Sequence, residues 1–520
     1  MRNTLPLLVP ALLLACSGGP ADEKAAPEEA PDTAIDSGEP APPASLEARM
    51  NLDRLLAHLA QLQDIGEAAA DTRAAASDGH RASLDWVEAT LIEAGLSPVR
   101  QAFDITRWDG LGPARLEVEG YGPFGEDDVG YFQGSPPGLA SGPLVAVDLT
   151  LPAPDEEGLT SSGCTASDYT TFPAGAIALI QRGGCTFTEK AAAARDAGAV
   201  AVVIFNEGQP GRRDLFSGTL SPEVGIPVLS ATYAVGEALA GGAPLATVES
   251  LTEITVAPTE NLWVDLPGSG DGIVVTGAHL DSVTAGPGVN DNGSGTAVVL
   301  ELALQSAARL AEGAPTPAHT QRFAFWGAEE LGLLGSFHYV SALSEAELAR
   351  HVANLNFDMV ASPNGARFVY DGDASAGLQG YEPPDGSGEI EALFTEHFDA
   401  RSLPYLPTAF DGRSDYGPFI LAGIPAGGLF SGAEQEKSAS QAETFGGEAR
   451  QPFDACYHEA CDTDDNIDAQ LLLEMAEAAA VATSASADWL PSARSAARRV
   501  KAPPSALPFH GGCDVGLAIR

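Results

Sequence analysis

Between Asn261 and about Leu490, short buried-strand runs alternate with helical periodicity, and no other feature of the chain limits its fold so strongly. The order is IVVTGAHL, TAVVLELALQSAARLA, QRFAFW, LGLLGSFHYVSAL and VANLNFDMV. Strands built from continuous Val, Ile, Ala and Phe have no polar face to offer water, so they need cover on both sides, and the helices between them supply it. The pattern predicts an α/β fold with a mixed, largely parallel sheet flanked by helices over residues 251–491. In such sheets the reactive groups gather beyond the carboxyl ends of the strands.

At 520 residues the chain exceeds what one core organises, and units of roughly 100–200 residues are expected. Residues 46–128 read as the N-terminal part of the same α/β unit. There LDRLLAHLAQLQDI and RASLDWVEATLIEAGL repeat apolar residues at three and four, which predicts two amphipathic helices, the second ending at Gly95. Strand-like PVRQAFDI and ARLEVEGY follow. Across residues 129–250 the texture shifts to apolar runs broken by Gly, Pro and Ser, such as LVAVDL, AIALIQRG and AVAVVIFN, with one helix in CTFTEKAAAARDAGA. This predicts a separate, mainly β insertion. No repeat of 20–50 residues is visible.

The first residues, MRNTLPLLVPALLLACSGGP, carry an early Arg and an apolar run too short to span a bilayer, ending in Leu-Leu-Ala-Cys. That end resembles a bacterial lipobox. Residues 1–16 are therefore read as a lipoprotein signal peptide with Cys16 as the lipidated residue, the alternatives being an ordinary signal peptide cut near Ala15 or a chance apolar start. Either signal peptide implies export to the cell envelope or the medium. Residues 17–45, rich in Pro, Ala, Gly and acid, read as a disordered tether, and residues 492–520 as a tail of unassigned role. With 27 Lys and Arg against 72 Asp and Glu, a net charge of −45, nucleic acid and anionic membrane are poor partners, and membrane contact is expected only through the lipid anchor. Export makes disulfides the default for cysteines. Nearest in sequence are Cys456 with Cys461 and Cys164 with Cys185, leaving Cys513 free or intermolecular.

The chemistry is concentrated at strand ends. His279 and Asp281 close IVVTGAH, Asp291 lies in the following Gly-rich loop, Glu329 and Glu330 follow FAFWGA, and Asp358 closes NLNFD. Imidazole and carboxylate without thiolate suit zinc or a similar borderline metal. A second ion would need a shared carboxylate, for which Asp291 is best placed. Of the adjacent glutamates, one can ligate while the other faces a water made acidic by the metal and takes its proton, which is hydrolysis chemistry. Any one of these acids alone reads as a helix cap or a solvated loop residue; their convergence is what argues for a site.

The strings GAHLDSVTAGPGVNDNGSGTAVVLELA, FAFWGAEELGLLGSFHYV, NFDMVASPN, DGRSDYGPF and CYHEACDTDDNI resemble the zinc aminopeptidases of the M28 family, specifically the secreted bacterial leucine-type enzymes. The likeness covers roughly residues 46–490. The middle unit is similar to a protease-associated (PA) domain, where a Cys164–Cys185 bridge fits. Carried over, the resemblance implies two Zn²⁺ per chain, one held by His279, Asp291 and Asp358 and the other by Asp291, Glu330 and His458. It implies Glu329 as general base and Asp281 as acceptor from the far nitrogen of His279. Tyr457 would face the substrate carbonyl oxygen, positioned with His458 by a Cys456–Cys461 bridge. Arg413 would contact the peptide beyond the scissile bond, and Met359 and Phe430 would line a pocket for a large apolar first residue.

No residue can be assigned to calcium, and the chain is expected to act as a monomer on peptides. Two departures from the family pattern stand out: Tyr416 where relatives often carry His, and Asn292 where some branches carry a second Asp. Rival readings are a glutaminyl cyclase-like single-zinc acyltransferase, a carboxypeptidase of related fold, and a non-catalytic receptor or binding protein of the same fold.

Overall fold

Strand Ile273–His279 is buried along its whole length and lies near the middle of an eight-stranded sheet. Parallel neighbours flank it: Thr320–Trp326, with His279 opposite Trp326, and His351–Phe357, which in turn pairs in parallel with Ala426–Phe430. The sheet is mixed toward its margins. On one side Thr252–Leu266 pairs antiparallel with Thr320–Trp326 and then with the edge strand Val99–Gly110; on the other Phe368–Tyr370 pairs antiparallel with Ala426–Phe430 and in parallel with Leu406–Thr408. The computed structural model describes residues 43–153, 160–220 and 224–489. The expectations for Cys16, the signal peptide, nearly all of the tether, Cys513 and the tail 492–520 lie outside them.

Helix Gly295–Ala311 covers one face of the central strands with Val298, Leu300 and Leu302 buried, and the amphipathic helices Leu52–Ala68 and Asp78–Glu93 and the Ala-rich helix Ala469–Ser486 share that core. The start signals are ordinary chemistry. Asn51 and Ser77 side chains accept from the Arg54 and His80 amides, and Gly95, at φ +81°, takes the left-handed conformation that stops the second helix where the sequence places its end. On the opposite face Trp326, Tyr339 and Phe419 form a second aromatic core.

The chain leaves the large sheet at Gly110 and returns at Thr252, and these two residues are register partners in the antiparallel ribbon Val99–Gly110/Thr252–Leu266. Exit and return side by side are what allow a whole unit to be inserted without disturbing the host sheet. The inserted unit has its own eight-stranded sheet and its own core, with the parallel run Gly138–Ala146, Ile177–Gln181, Ala201–Phe205 and Val228–Ala231 at its middle. Two features differ from the sequence reading. Strands Arg115–Val118 and Gly122–Phe124 belong to this second sheet, so it begins before residue 129; the alternation in ARLEVEGY does not say which sheet that strand joins. The unit also carries a second helix, Tyr233–Leu239, besides Phe187–Asp196, which lies in CTFTEKAAAARDAGA as expected and makes the crossover between the parallel strands Ile177–Gln181 and Ala201–Phe205. Cys164 and Cys185 are bridged within it.

Candidate metal centre

Three parallel strand ends converge on one cleft. His279 is the last residue of its strand; Glu329 and Glu330 follow Trp326 by three and four positions; Asp358 directly follows Phe357. Ala328, Met359 and His458 hold φ of +59°, +48° and +58°. These left-handed turns are unfavourable for residues with a Cβ, and each redirects the chain next to a candidate side chain.

Asp291 occupies the turn Val289–Ser294 with non-helical φ/ψ and joins Asn292 by a cis peptide. Its backbone N–H donates to Asp462 Oδ2 at 2.9 Å, and the Asn290 N–H donates to Asp462 Oδ1 at 2.8 Å. Helix Gly295–Ala311 then starts on a glycine for a steric reason: a Cβ at Gly295 would lie 2.2 Å from the Phe357 carbonyl oxygen and 2.3 Å from Asn292 Oδ1. Asn292, where an acid was the alternative, ties the segments together, donating to the Phe357 carbonyl at 2.9 Å and accepting from the Gly295 and Met359 amides.

The donor atoms lie close together. His279 Nε2 is 3.3 Å from Asp291 Oδ1 and 3.3 Å from Asp358 Oδ1. His458 Nε2 is 3.2 Å from Asp291 Oδ2 and 3.0 Å from Glu330 Oε2. Tetrahedral zinc with bonds of about 2.0–2.1 Å places neighbouring donors about 3.3 Å apart, so the spacing and the all-N/O donor set fit zinc. Each of the sets His279–Asp291–Asp358 and Asp291–Glu330–His458 can gather about one point. Glu329 stands further back, its Oε2 3.8 Å from His279 Nε2.

The electrostatics describe the same crowding. Burial raises Glu329 well above the usual carboxylate range, with Glu330 and Asp358 adding to the effect against His279, and burial with the Asp291 charge pushes Glu330 up to about 7. Burial alone would depress His458, yet hydrogen bonds to Asp291 and Glu330 raise it to about 11. Burial likewise opposes the charged form of Asp291, but the two imidazoles outweigh it and hold that acid below its normal range. Five buried acids facing two imidazoles are short of positive charge, the condition a cation relieves.

Asp281 requires a correction. The far nitrogen of His279, Nδ1, meets the Asp281 backbone carbonyl at 3.0 Å, while the nearer carboxylate oxygen stands 3.9 Å away. That carboxylate instead accepts from the Glu329 and Glu330 amides at 3.1 and 3.4 Å. Asp281 therefore holds the glutamate pair with its side chain and orients His279 with its main chain.

Cys456 and Cys461 are bridged, and the Tyr457 ring stacks on His458 with centroids 3.8 Å apart. Arg413 donates to the Tyr457 hydroxyl at 3.0 Å and pairs with Glu434. Met359 and Phe430 line the same cleft, of about 800 Å³, together with Tyr370, Arg413 and Tyr457. Tyr416 lies fully buried behind it, its hydroxyl donating to Asp411 at 2.8 Å.

Several groups that act on the site were not singled out in the sequence. Ser414 donates to Asp358 Oδ2 and accepts from Asn356 Nδ2 at 2.7 Å. Arg73 is fully buried and donates to the carbonyls of Leu280, Pro287 and Gly288. Asp462 stands in the quoted CYHEACDTDDNI string and Ser414 in DGRSDYGPF, so those two had a signal; Arg73 had none.

A buried imidazole–carboxylate cluster at the carboxyl ends of parallel strands, opening on a cleft, defines a metal-dependent hydrolase. Residues 261–483 match the model of peptidase family M28 and residues 140–239 that of the PA domain. The chain is 42% identical to an aminopeptidase of Pseudomonas aeruginosa, covering 86% of this chain and 82% of the relative. It is also 42% identical to a probable lipoprotein aminopeptidase of Mycobacterium tuberculosis, with 82% of each covered. Among solved structures, an aminopeptidase from Aneurinibacillus sp. strain AM-1 superposes with a TM-score of 0.65 at 25% identity, covering 84% of this chain and 94% of that one. A zinc aminopeptidase from Bacillus subtilis gives 0.57 at 26% identity, covering 86% and 97%. The chain belongs to peptidase family M28 and carries a PA domain; it is a metallo-exopeptidase of the aminopeptidase kind.

Proposed function

We propose that the chain is an exported di-zinc aminopeptidase that releases large apolar first residues from peptides, with Glu329 as general base. The observation that carries the two-ion reading is the Asp291 carboxylate, one oxygen 3.3 Å from His279 and the other 3.2 Å from His458. His279, Asp291 and Asp358 would hold one ion, and Asp291, Glu330 and His458 the other. Zinc, when bound, supplies Lewis acidity that polarises the scissile carbonyl and makes water acidic near neutral pH.

The chain's own groups do the rest. Glu329 takes the proton of the attacking water and returns it to the leaving amine; burial increases its proton affinity, which suits a group that must hold the proton between the two steps. The acidic rim receives the protonated amino terminus. Tyr457 donates to the carbonyl oxygen as charge develops there. Met359 and Phe430 give the first side chain an apolar wall, and Arg413 is available to the peptide beyond the scissile bond.

Export is supported by the bridges Cys164–Cys185 and Cys456–Cys461, which suit an oxidising compartment, and by the relative named as a lipoprotein aminopeptidase. No helix among the described residues is long and apolar enough to cross a membrane. Anchoring through Cys16 would then hold the chain at the envelope, and Cys16→Ala is expected to move it from the membrane fraction to the soluble fraction.

The central test pairs zinc analysis with a panel of aminoacyl-anilides. About two zinc per chain and preference for Leu, Met and Phe over Gly, Asp and Lys by about 10-fold or more are expected. One zinc at full activity would remove the two-ion reading, and cleavage confined to the carboxyl end of blocked peptides would remove the aminopeptidase reading. Replacing Cys456 and Cys461 together by Ser is expected to lower kcat/KM about 10-fold while costing only about 2 kcal/mol of stability, because the closed loop is short. An unaltered kcat/KM would show that the bridge does not position His458 and Tyr457.

A further inference from the structure

Tyr457 stands on a short bridged loop, and its phenol oxygen must be fixed in three dimensions to serve a developing oxyanion. Stacking on His458, with an interplanar angle of 23°, fixes the ring plane but not the direction of the O–H bond. Arg413 Nη2 fixes that direction by donating to the phenol oxygen at 3.0 Å. A guanidinium has donors only, so the hydroxyl proton is turned away from Arg413. The nearby cation also makes the phenol a stronger donor.

Arg413 in turn is held. Its Nη1 donates to Glu434 Oε1 at 2.8 Å and its Nη2 to Glu434 Oε2 at 3.3 Å, so both arms of the fork meet one carboxylate. Ala433 and Gln435 line the cleft, and Glu434 between them turns to Arg413. An arginine side chain carries about 2 kcal/mol of rotamer entropy, and a two-point carboxylate contact is what confines it to the conformer that reaches Tyr457. With side-chain exposures of 32% and 29%, the pair contributes little to the fold itself.

We propose that Glu434 is a positioning residue which, through Arg413, aims the Tyr457 hydroxyl at the carbonyl oxygen of the scissile bond. The inference rests on the proposed role of Tyr457 in peptide-bond cleavage. Because the aimed donor strengthens its bond only as negative charge develops, the effect belongs to kcat and not to KM.

The test is a double-mutant cycle on the zinc-loaded full chain with leucyl-anilide as substrate. Glu434→Gln is expected to lower kcat about 10-fold with KM within about twofold and zinc content unchanged, and Tyr457→Phe to lower it about 100-fold. The double variant is expected to be no slower than Tyr457→Phe, because the relay has nothing left to aim. Glu434→Asp, whose shorter carboxylate keeps the charge but not the two-point contact, is expected to fall between parent and Glu434→Gln. Losses that multiply in the double variant, or a raised KM at unchanged kcat in Glu434→Gln, would overturn the relay and make Arg413 and Glu434 a substrate clamp. Parental turnover in Tyr457→Phe would overturn both the relay and the role of Tyr457, and a parent inert on every aminoacyl-anilide would point instead to failure of the proposed function.

Discussion

Glu329→Gln is expected to keep its zinc and lose turnover by about 10³-fold, the range that a positioned general base supplies. Glutamine matches glutamate in size and cannot accept the water's proton, so the substitution isolates proton transfer from packing. The Asp281 carboxylate holds this pair of residues through their backbone N–H groups, and those bonds survive a change of side chain. The distances argue for the assignment of roles. Glu330 Oε2 lies 3.0 Å from His458 Nε2, a ligand-to-ligand spacing, whereas Glu329 Oε2 is 3.8 Å from His279 Nε2, which leaves room for a reacting water beside it. Glu330→Gln should therefore behave differently, with zinc content falling along with turnover. Kinetics on leucyl-anilide with metal analysis of both variants decides the matter: zinc lost from Glu329→Gln would make Glu329 a ligand, and undiminished turnover would remove it as the base.

How much of this was readable in the chain depends on the range of the interaction. Strand ends are local: a buried run followed by a polar residue announces itself, and His279, Glu329, Glu330 and Asp358 were all visible as exits from such runs. The convergence of those exits follows from parallel pairing, which the alternation of strands and helices also implies. His458 lies on no strand and was reached only through its resemblance to a family motif. The role that the resemblance implies for Asp281 falls on the wrong atom, because a motif match does not distinguish a side-chain acceptor from the main-chain carbonyl of the same residue. Strand Arg115–Val118 is legible as a strand in ARLEVEGY and not as a member of a particular sheet, since its partner Ala243–Ser250 lies more than a hundred residues away. Glu434 is an ordinary loop glutamate until Arg413 is brought beside it.

Arg73 is the extreme case of that blindness, and its replacement by Met is expected to destabilise the holoenzyme by about 3–5 kcal/mol, the cost of breaking a buried charged network from one side. Nothing around it in DTRAAAS suggests a buried cation. In the fold its guanidinium is fully buried and donates through Nε to the Pro287 carbonyl at 2.6 Å, through Nη2 to the Gly288 carbonyl at 2.6 Å and through Nη1 to the Leu280 carbonyl. Burial lowers its pKa to about 10 against the pull of Asp281, Asp462 and Asp291, so it remains a cation at neutral pH. These three carbonyls belong to the irregular segment between His279 and Asp291, which has no sheet or helix of its own to satisfy them. Gly288, at φ +64°, also accepts from the Gly293 N–H at 3.0 Å, and a Cβ on it would lie 2.3 Å from the Asp291 carbonyl oxygen. Arg73 thus fixes the position from which the Asp291 turn starts. Met fills much of the volume but leaves the Leu280 and Pro287 carbonyls unmet and the Gly288 carbonyl with the Gly293 N–H alone, while Lys keeps the charge but, as a point donor, cannot span the three acceptors that a planar fork reaches. The expected order of stability is parent, then Arg73→Lys, then Arg73→Met, with zinc released to a chelator faster in the same order. Denaturant midpoints and chelator-release rates read these two quantities separately. If Arg73→Met matched the parent in both, the segment would be held by its own turns and Arg73 would have no part in setting the metal site.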